Sequence, residues 1–114
     1  MRVYQLINHN GNAWANQFVI STKYGDILQS YSSLVCFVGD DGGRHISMGD
    51  DWDYSKTTLK AVCKFLSERV GDDIKTADIR KALEKGSYKN SEGREWTVST
   101  GADCYFEGIT ERRE

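Results

Sequence analysis

The chain has 114 residues, of which 39% are hydrophobic and 28% charged, and a formal net charge of −2. That length suits one compact domain and is short for two. The charge balance is not that of a nucleic-acid-binding protein, and no run approaches the roughly 18 apolar residues of a membrane span. Charge is unevenly spread: residues 1–55 carry three basic and six acidic side chains (net −3), residues 56–114 twelve and eleven (net +1). The start, MRVYQLINHNG, has one Arg and a short apolar patch but no signal-peptide h-region, so a cytoplasmic location is expected.

In chain order, VYQLI (3–7) reads as a strand, followed by HNGNAWAN with the turn signal Asn10-Gly11. FVIST (18–22) is a second strand, and Tyr24-Gly25-Asp26 is a tight turn. ILQSY (27–31) and LVCFV (34–38) are either two strands or one strand interrupted by a bulge at Ser32-Ser33. Gly39-Asp40-Asp41-Gly42-Gly43 is the clearest hairpin loop, and RHISM (44–48) returns from it. With no proline in the chain, Gly, Asn, Asp and Ser must make the turns.

The period then changes. Leu59, Val62, Cys63, Leu66 and Val70 recur at helical spacing over about 56–70, with Phe65 at the edge of that face and Gly71 as the stop. Thr76 is the expected N-cap of a shorter helix ending near Lys85, before Gly86. EWTVST (95–100) and CYFEGI (104–109) read as late strands, one of them returning to the first sheet. The expected fold is a single α+β domain over 1–114: an antiparallel sheet of about five to six strands packed on one long helix, with a second short helix.

The densest polar stretch is GDDWDYS (49–55), directly before the long helix. One reading is structural. Ser55 caps the helix, Asp51 and Asp53 favour its positive end, and Trp52 or Tyr54 packs back as a staple. A second is a hard-cation site of Asp50, Asp51 and Asp53 with Asp40 and Asp41, but the spacing does not match a calcium loop. Paired carboxylates for acid–base catalysis are a third, and no feature places such a pair across a cleft. The fourth is a protein contact, because Trp and Tyr are favoured anchors and acids steer a basic partner.

Other chemistry is sparse. Cys36, Cys63 and Cys104 are odd in number, widely spaced and without a zinc pattern, and only His9 and His45 could serve a thiol as base. Cys63 reads as a small buried hydrophobe. The glycine-dense GDDGG puts two aspartates where phosphates would sit. Lys56, Lys60 and Lys64 form a stripe at i, i+4, i+8, and Arg80 and Lys81 lie on the second helix; together they are the candidate nucleic-acid contacts. VGDDIK, between the helices, opposes a phosphate backbone.

Three stretches, NAWANQFVI (12–20), GDILQSYSSLV (25–35) and WDYSKTTLKAVCKFL (52–66), resemble a small uncharacterised domain of bacterial phages and mobile elements. It is recognisable by an NQF strand, a QSY-S strand and a W-x-YS-x-TT helix start. The resemblance implies a context rather than an activity. Small acidic proteins of that kind often bind a host protein, and inhibitors of bacterial defence nucleases (anti-CRISPR proteins among them) are one such class.

The expectation is therefore a non-enzymatic, protein-binding module of phage or mobile-element type that inhibits or modulates a bacterial host protein, a CRISPR effector being one class of target. The contact surface would combine Asp40 and Asp41 with Asp50, Asp51, Trp52, Asp53 and Tyr54, Trp52 and Tyr54 acting as anchors. No catalytic residue, metal or cofactor is assigned. The alternative is a small nucleic-acid-binding or transcription accessory protein using Lys56, Lys60, Lys64, Arg80 and Lys81. A homodimer is left open.

Overall fold

The computed structural model describes residues 2–39 and 43–100. Five strands form an antiparallel meander: β1 (Arg2–Ile7), β2 (Ala13–Thr22), β3 (Gly25–Ser30), β4 (Ser33–Gly39) and β5 (His45–Met48). Two helices follow, α1 (Lys56–Val70) and α2 (Thr76–Lys85), then β6 (Ser87–Lys89) and β7 (Glu95–Thr100). The sheet order is β1-β2-β3-β4-β5-β7-β6, and β7 runs parallel to β5. Among the described residues the fold is α+β, with seven strands rather than five to six and one parallel pair in an otherwise antiparallel sheet. Strand β6, which follows the two helices, runs opposite to β5, and the β6–β7 hairpin reverses the chain so that β7 lies beside β5 in the same direction.

Local signals explain the meander. Asn8 Oδ1 accepts from the Asn10 and Asn12 backbone N–H groups, and Gly11 takes φ 84°. Ser32-Ser33 is not a bulge. Tyr31-Ser32 is a two-residue hairpin turn with Tyr31 at φ 58°, and the register irregularity falls between Leu28 and Gln29. Asp40 and Asp41, in the β4–β5 connection, lie outside the described residues, as do Cys104 and the expected strand CYFEGI.

Helix α1 begins and ends at its capping signals. Ser55 is extended, and its Oγ accepts from Thr58 N–H at 3.1 Å. Gly71, in the left-handed region, donates to Ser67 O at 3.0 Å. The buried face is rotated from the expected one: Thr58, Ala61, Val62, Phe65, Leu66 and Val70 are buried, while Leu59 and Cys63 are half-buried. Phe65, expected at the edge, is fully buried with the Arg69 guanidinium 4.1 Å from its ring centroid.

Helix α2 is capped differently from the expectation. Lys75 is the N-cap, Thr76 the first helical residue, and Asp78 Oδ2 accepts from Lys75 N–H at 2.9 Å. Its ten residues would be marginal alone, so burial of Ile79 and Ala82 against the sheet supports it. The main core lies between the helices and one sheet face, around Val19, Leu28, Cys36, Met48, Phe65 and Trp96. A second cluster, Ile27 and Phe37 with Ile20, Tyr24 and Leu34, lies on the opposite face.

The β6–β7 hairpin is tied to the end of α1. Asn90 Nδ2 donates to Val70 O at 2.7 Å, and Asp72 accepts from the Tyr88 hydroxyl at 2.6 Å and from Ser91 N–H and Oγ. These bonds hold the Asp72 carboxyl below its ordinary range, chiefly through Tyr88. Partial burial, then Asp72, pushes the Tyr88 phenol up to about 12. No helix among the described residues is long and apolar enough to cross a membrane.

Candidate functional site

The segment between β5 and α1 is pinned at successive backbone positions. Gly49 N–H donates to Val35 O at 2.9 Å, Trp52 N–H to Gly49 O at 3.2 Å and Tyr54 N–H to Asp51 O at 3.3 Å. This path sorts the side chains. Trp52 is 6% exposed and belongs to the core, so it is a root of the segment and not an exposed anchor. Tyr54 is 53% exposed, and Asp50, Asp51 and Asp53 are exposed.

Arg80, from the second helix, covers the corner. Its guanidinium carbon lies 5.1 Å from the Trp52 ring centroid, and Nη2 reaches Asp53 Oδ2 at 3.3 Å. Asp53 and Arg80, placed in opposing functional sets by the sequence, are thus partners. Lys64 pairs with Glu68 at 2.8 Å, whereas Lys56, Lys60 and Lys81 are exposed. The five basic candidates therefore divide, two of them already engaged with carboxylates.

The three sequence stretches converge beside this corner. Tyr31 N–H donates to Asn16 O at 2.7 Å, and Gln17 is paired in register with Ser30. Ser30 Oγ and Ser55 Oγ both meet Thr58 Oγ1, at 2.9 and 3.0 Å. Asn16 and Tyr31 both adopt positive φ, at 65° and 58°, an uncommon conformation for residues with a side chain. This junction locks the β3–β4 turn to the start of α1. Tyr31, one residue beyond Ser30, is 45% exposed; Tyr54 immediately precedes Ser55. The Ser30–Thr58–Ser55 hydroxyl contacts thus bring the β3–β4 turn, which carries Tyr31, to the start of α1, which Tyr54 precedes. The signal was present in the QSY and YS stretches, but only the Ser30–Thr58 contact brings them together.

Gln17 is fully buried, and neither atom of its amide has a hydrogen-bond partner among the described residues. An amide in that state carries a desolvation cost.

An open groove lies on the far side of α1, lined by His9, Lys60, Cys63, Lys64, Lys75 and Thr76, among others. It brings one histidine and one cysteine to a common concavity. Burial pushes the Cys63 thiol up, and the contact of its Sγ with Thr76 Oγ1 at 3.8 Å partly offsets that shift. Cys36 is fully buried with its thiol also pushed up by burial, against Met48 Sδ at 3.6 Å. Among the described residues no group of three His, Cys, Asp or Glu side chains is placed to hold a metal ion.

No curated protein and no solved structure matches the chain. A family model described as a family of unknown function, DUF8033, matches residues 1–85 and so takes in β1 through α2 with the whole corner. The protein belongs to that family.

Proposed function

We propose that this domain is a non-enzymatic protein-binding module whose contact surface is the corner where the β3–β4 turn meets the start of α1. Tyr31 and Tyr54 are the anchors, and Asp50 and Asp51 form the acidic rim. The observation that carries this reading is the meeting of Ser30 and Ser55 on Thr58 Oγ1, which sets two exposed tyrosines on one rigid support. Tyrosine brings large contact area at low conformational cost. A support that is already ordered lowers the entropy lost on binding. Adjacent carboxylates favour a partner with a basic surface and speed its approach.

The partner class suggested by the sequence resemblance is a bacterial host protein, with defence nuclease complexes such as CRISPR effectors as the instance to try first, and a phage or mobile-element setting for the domain. The test is capture of host proteins on the immobilised domain, with and without nuclease treatment, against a Tyr31→Ala/Tyr54→Ala control. A protein retained after nuclease by the wild type and lost by the control supports the reading. Recovery that vanishes with nuclease and is unaffected by the tyrosine changes overturns it and moves attention to Lys56, Lys60 and Lys81.

A further inference from the structure

We infer that β1 is a self-pairing edge, through which two copies of this chain join antiparallel about a two-fold axis at Gln5. Strand β1 is terminal in the sheet order, so among the described residues it has a paired neighbour on one side only. Long edge strands are usually guarded by proline, lysine or an inward charge. This one has no proline, lysine or inward charge: its only charge is Arg2, at its first residue, although its pairing with β2 shifts register between Gln5 and Ile7.

Its side chains alternate. Leu6 is buried on the helix side, where Tyr4 also lies with its hydroxyl accepting from Arg69 Nη2 at 3.2 Å. Val3, Gln5 and Ile7 take the opposite face, with Val3 56% and Ile7 46% exposed. Directly opposed residues of an antiparallel pair share a face, so self-pairing must match residues of like parity. Pairing centred on Gln5 puts Val3 of each copy against Ile7 of the other and Tyr4 against Leu6. Arg2 then falls opposite the neutral Asn8, and no like charges meet across the axis. The strand is therefore complementary to its own reverse, which selects a second copy over an unrelated strand.

The arrangement is isologous and closes at two copies. The other sheet edge, β6, has only three residues, and β1–β6 pairing would be heterologous and open-ended. This inference stands apart from the tyrosine surface and does not rest on it.

The experiment combines light scattering with site-directed cross-linking. The wild-type chain is expected to reach twice 12.9 kDa with rising concentration, and V3K and I7K to stay monomeric with unchanged circular dichroism. In a background with Cys63 and Cys104 replaced by serine, Q5C should form an intermolecular disulfide under mild oxidation, because directly opposed residues lie about 4.5–5.5 Å apart at Cα. V3C should cross-link to I7C and not to itself. A monomer persisting to about 1 mM, a dimer that survives V3K and I7K, an open-ended polymer, or Q5C that stays reduced would each overturn the inference. If V3K proves unfolded, the cross-linking pattern alone decides.

Discussion

The Arg80 guanidinium lies 5.1 Å from the ring centroid of Trp52 and turns one nitrogen to Asp53. It fastens the second helix to the segment that precedes the first. Stacking at such a site is worth about 0.5–1 kcal/mol, and an ion pair this exposed about 0–1 kcal/mol. Arg80→Ala should therefore lower unfolding free energy by about 1 kcal/mol in urea denaturation. Arg80→Lys should recover only part, since lysine lacks the planar face. A loss above about 3 kcal/mol would mean that Arg80 supports more of the core than these two contacts.

Thr58 Oγ1 joins two serines in a buried setting. Thr58→Val keeps the shape and removes the hydroxyl, leaving Ser30 Oγ buried without that partner. The expected cost is about 1–3 kcal/mol. Ser55→Ala should cost about 1 kcal/mol through loss of the cap. A double-mutant cycle of Ser30→Ala with Thr58→Val should show positive coupling, and strict additivity would refute the shared bond.

Gln17 offers the opposite sign. Gln17→Met nearly conserves volume and removes an amide that is buried without partners among the described residues. The variant should be as stable as wild type or more so, by up to about 2 kcal/mol, as read from the denaturation midpoint. Marked destabilisation would reveal a partner of the amide, such as a bound water.

Gly39 faces the Phe37 ring and the Tyr24 carbonyl oxygen, and a Cβ there would overlap both. Gly39→Ala is expected to cost about 1–3 kcal/mol or more through overpacking. Gly93, in the β6–β7 turn, has open space around a Cβ position but a positive φ, so its alanine variant should show the milder cost of backbone strain alone. Equal melting temperatures for the two variants would contradict the packing argument.

The Tyr88–Asp72 bond predicts how stability follows pH. The Tyr88 phenol is raised from its ordinary 10 to about 12, so the neutral form is the one favoured by folding. Its contribution is complete below pH 10 and is lost as pH rises through about 12. Asp72 is lowered from its ordinary 3.8, so its contribution is present above that pH and is lost as pH falls through and below it. Tyr88→Phe should flatten the alkaline limb of a pH–stability curve and flatten the acid limb as well, because Asp72 loses the chief cause of its depression. An unchanged alkaline limb in that variant would assign it to another group.

Much of the fold was written locally. The bounds of α1 follow from Ser55 and Gly71, and Asn10-Gly11 and Tyr24-Gly25 place two turns of the meander. Each signal acts within a few residues, through a cap or a φ preference that needs no distant partner. Strand β6 was not legible, because Ser87–Lys89 becomes a strand only by pairing with β7. The parallel β5–β7 pair was hidden for the same reason.

At the corner, the sequence by itself determined that three aspartates and two aromatics crowd the start of a capped helix. It did not determine which aromatic is core. Helical and strand periodicity had ended there, and an irregular segment has no repeat to sort inside from outside. Only the tertiary structure buried Trp52 beneath Arg80 and left Tyr54 in solvent. It also carried Tyr31 to the same place, because side-chain hydroxyls 28 residues apart meet only after the sheet and helix have packed.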